Sequence, residues 1–476
     1  GALDELMPGW KESQDPFVVK TLSNRVEKDE VYFLSSGSAM RLPDSIMPSA
    51  MHHKGDYTLS LSEMTNWLAG IALGLGVEIY NGFAVKDLVI EDGRVKGVRL
   101  GEKGLDKENQ QMCNYLPGEI IEAKVTVLGE GSLGQLAEKL VAHFKLDEGR
   151  NTQIQSVGVK EIIRFPEKNN FGTKRVIHTL GYPARKEIFG GGTIYSMSEN
   201  TVAVAIVLAL DWKYCDLNPH QELQVFKAHK FISHLLEGGE VVAYGARTLP
   251  EGGYYALPRL VADGAMIVGD AAGFTNAQKL KGLHYAVKSG MLAGQAIFEA
   301  VKKGSYNAAD LAEYKELLNG SFVMQDLKKA RNYRQMFNTP LGLFLGAPGS
   351  FIQGIMPRLR THPDYKGMRR TKLKRTYKGG IDRLTDVSLS GTIHREDEPS
   401  HITFADPRKC EPCAEKFGCH PCEYFCPGEV YRFEDGELIL SPSNCLHCQT
   451  CRVKCPLQNI KWEVPEGGDG PKYKVM

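Results

Sequence analysis

The segment "CLHCQTCRVKCP", residues 445–456, places four cysteines at spacings of two, two and three and follows the last with a proline. Three thiolates on one tight turn suit three irons of a cubane, and in two-cluster ferredoxins the proline-linked cysteine reaches the other cluster. The run before it, "CEPCAEKFGCHPCEYFCP" (410–427), ends Cys419-x2-Cys422-x3-Cys426-Pro; Lys416 stands where a first ligand belongs, and Cys413 lies three residues earlier. Exchange of ligands between the runs predicts one 4Fe-4S cluster on Cys426, Cys445, Cys448 and Cys451. A second 4Fe-4S cluster is expected on Cys455 with three of Cys410, Cys413, Cys419 and Cys422, and Cys413, Cys419 and Cys422 are the preferred set. Structural zinc on Cys410, Cys413, Cys419 and Cys422 competes with that reading, because paired C-x2-C spacings also suit a tetrahedral ion. Between the runs, "YRFEDGELIL" (431–440) reads as a hairpin turning on Asp435-Gly436.

Away from this module only Cys113 and Cys215 remain of eleven cysteines, a distribution that suits ligand clusters in a reducing compartment rather than a disulfide framework. A chain of 476 residues exceeds what one hydrophobic core holds, so several domains are expected. The formal charge of +1 excludes a nucleic-acid binder defined by bulk basicity, and no nucleic-acid partner is expected. No stretch has the length and apolarity of a membrane span, and "GALDELMPGW" lacks a signal core.

Upstream, residues 55–100 read as strand, helix and strand, then a hairpin turning on Asp92-Gly93. "VTVLGEGSLG" (125–134) carries a strand into a glycine turn and the helix "QLAEKLVAHF". Residues 153–210 alternate as strands, with a hairpin turning at 198–200, and 218–237 reads as one helix. "IVGDAAGF" (267–274) sets Asp270 at a strand end, where a carboxylate can accept hydroxyl hydrogen bonds, and follows it with small residues that permit close approach of a ligand chain. An amphipathic helix near 284–304 comes next. The uncharged stretch "QMFNTPLGLFLGAPGSFIQGIMP" (335–357) is broken by proline and glycine, too short to span and suited to a membrane interface. Arg331, Arg334, Arg358, Arg360 and "RRTKLKR" (369–375) flank it, as basic groups near anionic lipid do.

Together, "GDAAGFTNAQKLKGLHYAVKSGMLAGQAIFEA", "GGEVVAYGARTLPEGGYYALPRL" and "LQNIKWEVPEGGDGPKY" resemble the electron-transfer-flavoprotein:quinone oxidoreductase family, including its nitrogen-fixation-associated and bifurcating-complex relatives. The resemblance covers nearly the whole chain and is densest over 236–298 and 424–473. It implies an α/β plus α+β architecture: an FAD-binding flavoprotein fold, an inserted β-sheet quinone domain and a C-terminal ferredoxin-like iron–sulfur domain. The expected boundaries are 1–150 for a partial FAD-binding domain, 151–260 for the quinone domain, 261–330 for the FAD-binding return, 331–394 for a membrane-contact and linker region and 395–476 for the iron–sulfur domain.

By motif, the resemblance puts Gly269, Asp270, Ala271, Asn276, Lys281, Gly282 and Leu283 beside FAD, with Gly129, Glu130 and Gly131 walling the site, and Gly190 and Gly191 of "FGGGTIY" against the quinone head. It singles out no catalytic acid or base; His284 reads as a packed histidine. The family opens with a dinucleotide-binding unit that this sequence does not show. "GEGSLG" (129–134) fits G-x-G-x-x-G formally but has no acidic residue closing a second strand about 20 positions on. Another chain or further segment is therefore an expected partner. The implied activity is electron transfer from reduced electron-transfer flavoprotein to ubiquinone or menaquinone. The protein is expected to be peripheral, on the cytoplasmic face of a prokaryotic membrane or on the mitochondrial inner membrane. A geranylgeranyl-type flavin-dependent isoprenoid reductase and a flavin-free relay subunit are the alternatives.

Overall fold

The computed structural model describes every residue except Lys168 and Pro340; the latter lies in the uncharged 335–357 stretch. Its largest element is a seven-stranded sheet in the order Glu240–Pro250, Gln155–Arg164, Thr201–Ala209, Gly190–Ser198, Arg175–Gly181, Lys28–Leu34, Ala39–Arg41. All neighbours are antiparallel except Lys28–Leu34, which runs parallel to Arg175–Gly181. "TVAVAIVLA" (201–209) is almost continuously apolar because it is an inner strand covered on both faces. Helix Pro219–Lys227 packs against it and against Gln155–Arg164. Ile162, Ala203 and Ala243 instead pack with Tyr473, Val475 and Met476 at the C-terminus. Each Val or Ile buried there contributes about 1.5–3 kcal/mol.

A second core surrounds a three-stranded sheet, Val261–Ala262, Ala265–Ile267 and Thr126–Leu128, with helices Gln135–His143 and Leu283–Lys303. Thr126–Leu128 forms the sheet's outer edge, and Val127 is exposed. The iron–sulfur candidate module adds two short strand pairs, Ile402–Phe404 with Ile460–Trp462 and Tyr431–Glu434 with Glu437–Leu440. Asp435 and Gly436 take positive φ at the expected hairpin turn, as Asp92 and Gly93 do at theirs.

Three expectations are corrected. The first 150 residues are not one unit, because Lys28–Leu34 and Ala39–Arg41 join the sheet expected to span only 151–260. The helix expected over 218–237 divides into Pro219–Lys227 and Lys230–Leu235; between them the His229 ring accepts from Phe231 N and starts the second helix. Val77–Tyr80, expected as a strand, has no strand pairing and leaves Val77, Ile79 and Tyr80 exposed.

Candidate electron-transfer site

Cys426, Cys445, Cys448 and Cys451 line one cavity, closed by Ile402, Val430, Tyr431, Leu446 and Thr450. Cys426 follows helix Pro421–Phe425, Cys445 follows the turn Pro442–Asn444, and Cys451 lies in helix Thr450–Lys454. His447 and Gln449 both take left-handed backbone, which folds the Cys445–Cys451 loop around the cavity. Cys445 Sγ accepts from His447 N at 3.4 Å. Burial pushes Cys426 up to about 11 and raises Cys445, Cys448 and Cys451. Thiolates in so dry a cage need adjoining cations, a role iron fills.

The other thiols form a second set, but not the expected one. Burial raises the pKa of Cys410, Cys413 and Cys422, and they lie close enough to one another and to Cys455 for the neighbouring thiolates to add to it. Asn459 joins two of them: its side-chain amide donates to Cys410 Sγ at 3.2 Å and its backbone N–H to Cys455 Sγ at 3.5 Å. Cys419, assigned above as a ligand, is instead paired with Cys215, 204 residues away, at a Cα–Cα distance of 6.1 Å. Gly418 just before it takes a left-handed φ of +85°, and Cys419 packs with Met368, Phe417 and Cys215.

Four sulfur donors in each set suit a tetrahedral zinc ion as well as an iron cluster. A zinc ion at about 2.3 Å from each sulfur holds them about 3.8 Å apart. Among the described residues, the group that brings three metal-ligating atoms within 4.8 Å of one another is His394, His401 and His447, with no cysteine in it. The two thiol sets are separate from it. They also share one helical turn: Cys451 and Cys455 are four residues apart, Cys455 N donating to Cys451 O at 3.0 Å, a rise of about 6 Å along the axis.

Sequence reasoning missed two hydroxyls. Those of Tyr431 and Thr450 are buried without an oxygen or nitrogen partner; Tyr431 faces Cys451 and Thr450 faces Cys448. A donor at a cluster sulfur stabilises the more negative, reduced state. Tyr431→Phe and Thr450→Ala are each expected to move the cluster's midpoint potential negative with iron content unchanged, measured by potentiometric EPR titration; an unchanged midpoint contradicts the assignment.

The flavin candidates divide. Asp270 follows strand Ala265–Ile267, has its carboxyl raised by burial, and among the described residues accepts one side-chain hydrogen bond, from Thr275 Oγ1 at 3.4 Å, with the Arg247 guanidinium acting on it from farther off. Gly282 opens the 21-residue helix Leu283–Lys303, and a Cβ there would come within 3.2 Å of Asp270 Oδ1. An under-partnered carboxylate beside a bare helix N-terminus fits the ring-side part of FAD. Gly269 and Ala271 lie in the turn that carries Asp270, and Leu283 starts the helix. Asn276 and Lys281 are already engaged: Asn276 Oδ1 accepts from Gln278 N and Lys279 N, both at 3.0 Å, and Lys281 pairs with Asp56. Glu130 caps helix Gln135–His143, accepting from Leu136 N at 3.1 Å and Ala137 N at 2.8 Å, between Gly129 and the left-handed Gly131. His284 is packed between Tyr285 and Phe322, as expected, and burial lowers it to about 4.

Gly190 and Gly191 both lie in strand Gly190–Ser198, where a Cβ would come within 2.1 Å of the Val207 and Thr179 carbonyl oxygens respectively. The sheet itself thus demands glycine there. The adjacent Phe189 packs on Phe337 at 4.9 Å, and Leu343 N donates to Lys186 O at 2.8 Å, seating the apolar 341–355 stretch beside these glycines. That stretch exposes Leu341, Phe344, Leu345, Phe351, Ile352 and Ile355. Three basic residues expected at lipid are engaged by the protein itself, although Arg358 stays exposed. Arg334 is 2% exposed and paired with Asp211 and Glu251, Arg358 donates to Asn151 and Gly149, and Arg375 pairs with Glu222.

Comparison with known proteins decides the family. The family model described as "Electron transfer flavoprotein-ubiquinone oxidoreductase, 4Fe-4S" matches residues 378–474, and "ETF-QO, ubiquinone-binding" matches 155–249. Over its full length the chain is 37% identical to the mitochondrial electron transfer flavoprotein-ubiquinone oxidoreductase of Dictyostelium discoideum, covering 82% of that protein. The chain belongs to the electron transfer flavoprotein-ubiquinone oxidoreductase family. Its Pseudomonas aeruginosa relative is 36% identical with 89% of its length covered, and the Homo sapiens mitochondrial relative 35% with 80% covered. Among solved structures, a geranylgeranyl bacteriochlorophyll reductase-like protein from Thermoplasma acidophilum shares the fold at TM-score 0.52 and 17% identity, over 74% of this chain and 84% of that one. Cys426, Cys445, Cys448 and Cys451 lie within the 4Fe-4S match, and the central strands of the seven-stranded sheet within the ubiquinone-binding match.

Proposed function

We propose that this oxidoreductase takes electrons from reduced electron transfer flavoprotein and passes them through iron–sulfur clusters and FAD to ubiquinone or menaquinone. One observation carries the reading: Cys426, Cys445, Cys448, Cys451 and Cys455 belong to the same continuous core as Val157, Ile177, Val204 and Tyr244 of the quinone-binding sheet. Tyr244 reinforces the junction, its hydroxyl donating to Pro427 O at 3.1 Å beside Cys426. Iron held by these thiols lies against the sheet without intervening solvent.

Cys426, Cys445, Cys448 and Cys451 hold one 4Fe-4S cluster, and Cys410, Cys413, Cys422 and Cys455 a second. Asp270 and the start of helix Leu283–Lys303 hold the ring-side part of FAD. When bound, FAD links one-electron exchange with the clusters to two-electron delivery to a quinone. Ile402, Val430 and Leu446 exclude water from the first thiol set, and the Tyr431 and Thr450 hydroxyls adjust its charge. The edge strand Thr126–Leu128 and the exposed Val77, Ile79 and Tyr80 suit the addition of a dinucleotide-binding unit from a further segment or chain, completing the ADP side. Gly190 and Gly191 border the quinone head. The exposed apolar side chains of 341–355 enter the membrane interface, making the protein peripheral to a prokaryotic cytoplasmic or mitochondrial inner membrane. No helix among the described residues is long and apolar enough to cross a membrane.

Steady-state reduction of a ubiquinone analogue by reduced electron transfer flavoprotein tests the activity; turnover of a prenylated alkene in its place overturns it. Ligand choice has its own test. Cys410→Ser is expected to remove about four of about eight irons per chain, whereas Cys419→Ser leaves iron unchanged. Equal iron loss in both variants contradicts the assignment.

A further inference from the structure

Outside both thiol sets, three histidines from distant parts of the iron–sulfur module converge. His394 and His401 belong to the loop leading into strand Ile402–Phe404, and His447 lies between Cys445 and Cys448. His394 and His401 are buried, their rings stacked at 4.8 Å and nearly parallel. His394 Nε2 lies 2.8 Å from His447 Nε2, and one ligating atom from each of the three rings falls within 4.8 Å of the others. His401 Nε2 is buried with no hydrogen-bond partner.

The hydrogen bond behind His394 fixes what its front nitrogen offers. Nδ1 lies 3.2 Å from the Ser443 carbonyl oxygen, which only accepts, so Nδ1 carries the proton and Nε2 presents a bare lone pair. A ring anchored through one nitrogen to a carbonyl, with the other left as an acceptor, is the usual arrangement of a metal-ligating histidine; here that acceptor faces His447 Nε2, whose proton a bound ion would replace. His447 is held as firmly, because a Cβ at Gly470 would come within 2.4 Å of its ring. The edge of Trp462 packs against both His401 and His447.

We propose that His394, His401 and His447 form a site for a divalent d-block ion, zinc foremost, separate from the iron–sulfur clusters. Three imidazoles without thiolate or carboxylate match zinc, copper or nickel rather than calcium or magnesium. At zinc–nitrogen distances of about 2.0–2.1 Å, tetrahedral ligands stand about 3.3 Å apart, so nitrogens that already fall within 4.8 Å of one another close in by at most about 1.5 Å. The ion ties the 394–401 loop to the loop that carries Cys445 and Cys448. Thr392 Oγ1 already joins these segments by donating to Cys445 O at 2.8 Å.

The test uses the anaerobically purified holoprotein, incubated with Zn²⁺, gel-filtered and analysed for zinc, iron and sulfide, with X-ray absorption at the zinc edge. About one zinc per chain with a nitrogen-only imidazole shell and unchanged iron is expected. His401→Gln and His394→Asn are expected to lose that zinc and keep their iron, which also shows that they fold; His52→Ala, at an exposed histidine, retains it. No retained zinc, zinc with a sulfur shell, or zinc undiminished in both core variants overturns the proposal.

Discussion

Replacing Cys451 with alanine is expected to remove the first cluster altogether, a loss of at least about four of about eight irons per chain, and to unfold the surrounding module rather than leave an empty cage. Cys451 supplies one of four thiols lining a cavity whose remaining walls are largely apolar, including Ile402, Val430 and Leu446. Water entering that space finds few polar partners, so the apo cavity does not hold its shape, and folding of the module is linked to iron binding. The same residue precedes Cys455 by one helical turn, so a disordered Thr450–Lys454 helix also perturbs the second set. Iron analysis and hydrogen exchange over 395–476 check this. Protection retained at wild-type level with four irons missing would show that the cluster does not organise the module.

The second large effect lies away from the thiols. Arg334 is buried at the junction of the quinone-binding sheet and the apolar 341–355 stretch. Its Nη2 lies 2.9 Å from Asp211 Oδ2 and its Nε 3.2 Å from Glu251 Oε2, and its guanidinium sits 4.6 Å from the Phe189 ring centroid. Burial raises the Glu251 carboxyl, which the guanidinium counters. Arg334→Met leaves that carboxylate without its cation, and removing one partner of a buried pair costs about 3–5 kcal/mol. Thermal or denaturant unfolding of the holoprotein should show a loss of that size. A change below about 1 kcal/mol would mean that the pair behaves as a surface ion pair.

What the sequence made legible was local. The spacing of the two cysteine runs points to Cys426, Cys445, Cys448 and Cys451, which the structure gathers at one cavity, and the Asp92-Gly93 and Asp435-Gly436 turns need positive φ and take it. What escaped depends on partners far along the chain. Cys419 and Cys410 look equivalent within their run, and only the approach of Cys215 from 204 residues away separates them. "KDEVYFL" (28–34) carries no sign of its parallel partner at 175–181, and "VEIY" reads as a strand although no neighbour pairs with it. Tyr431 and Thr450 look like ordinary hairpin and helix residues until the loop closes over the sulfurs. Asn276, Lys281 and Glu130 show the converse: motif placed them at a ligand, while their side chains cap and bridge neighbouring backbone and charge.

The most direct test of electron flow through the thiol-bound iron follows the reduced-cluster EPR signal in anaerobic mixing. Reduced electron transfer flavoprotein should raise that signal in the intact protein, and a ubiquinone analogue added next should abolish it. A signal that never appears, or one that persists in excess quinone, contradicts the proposed path.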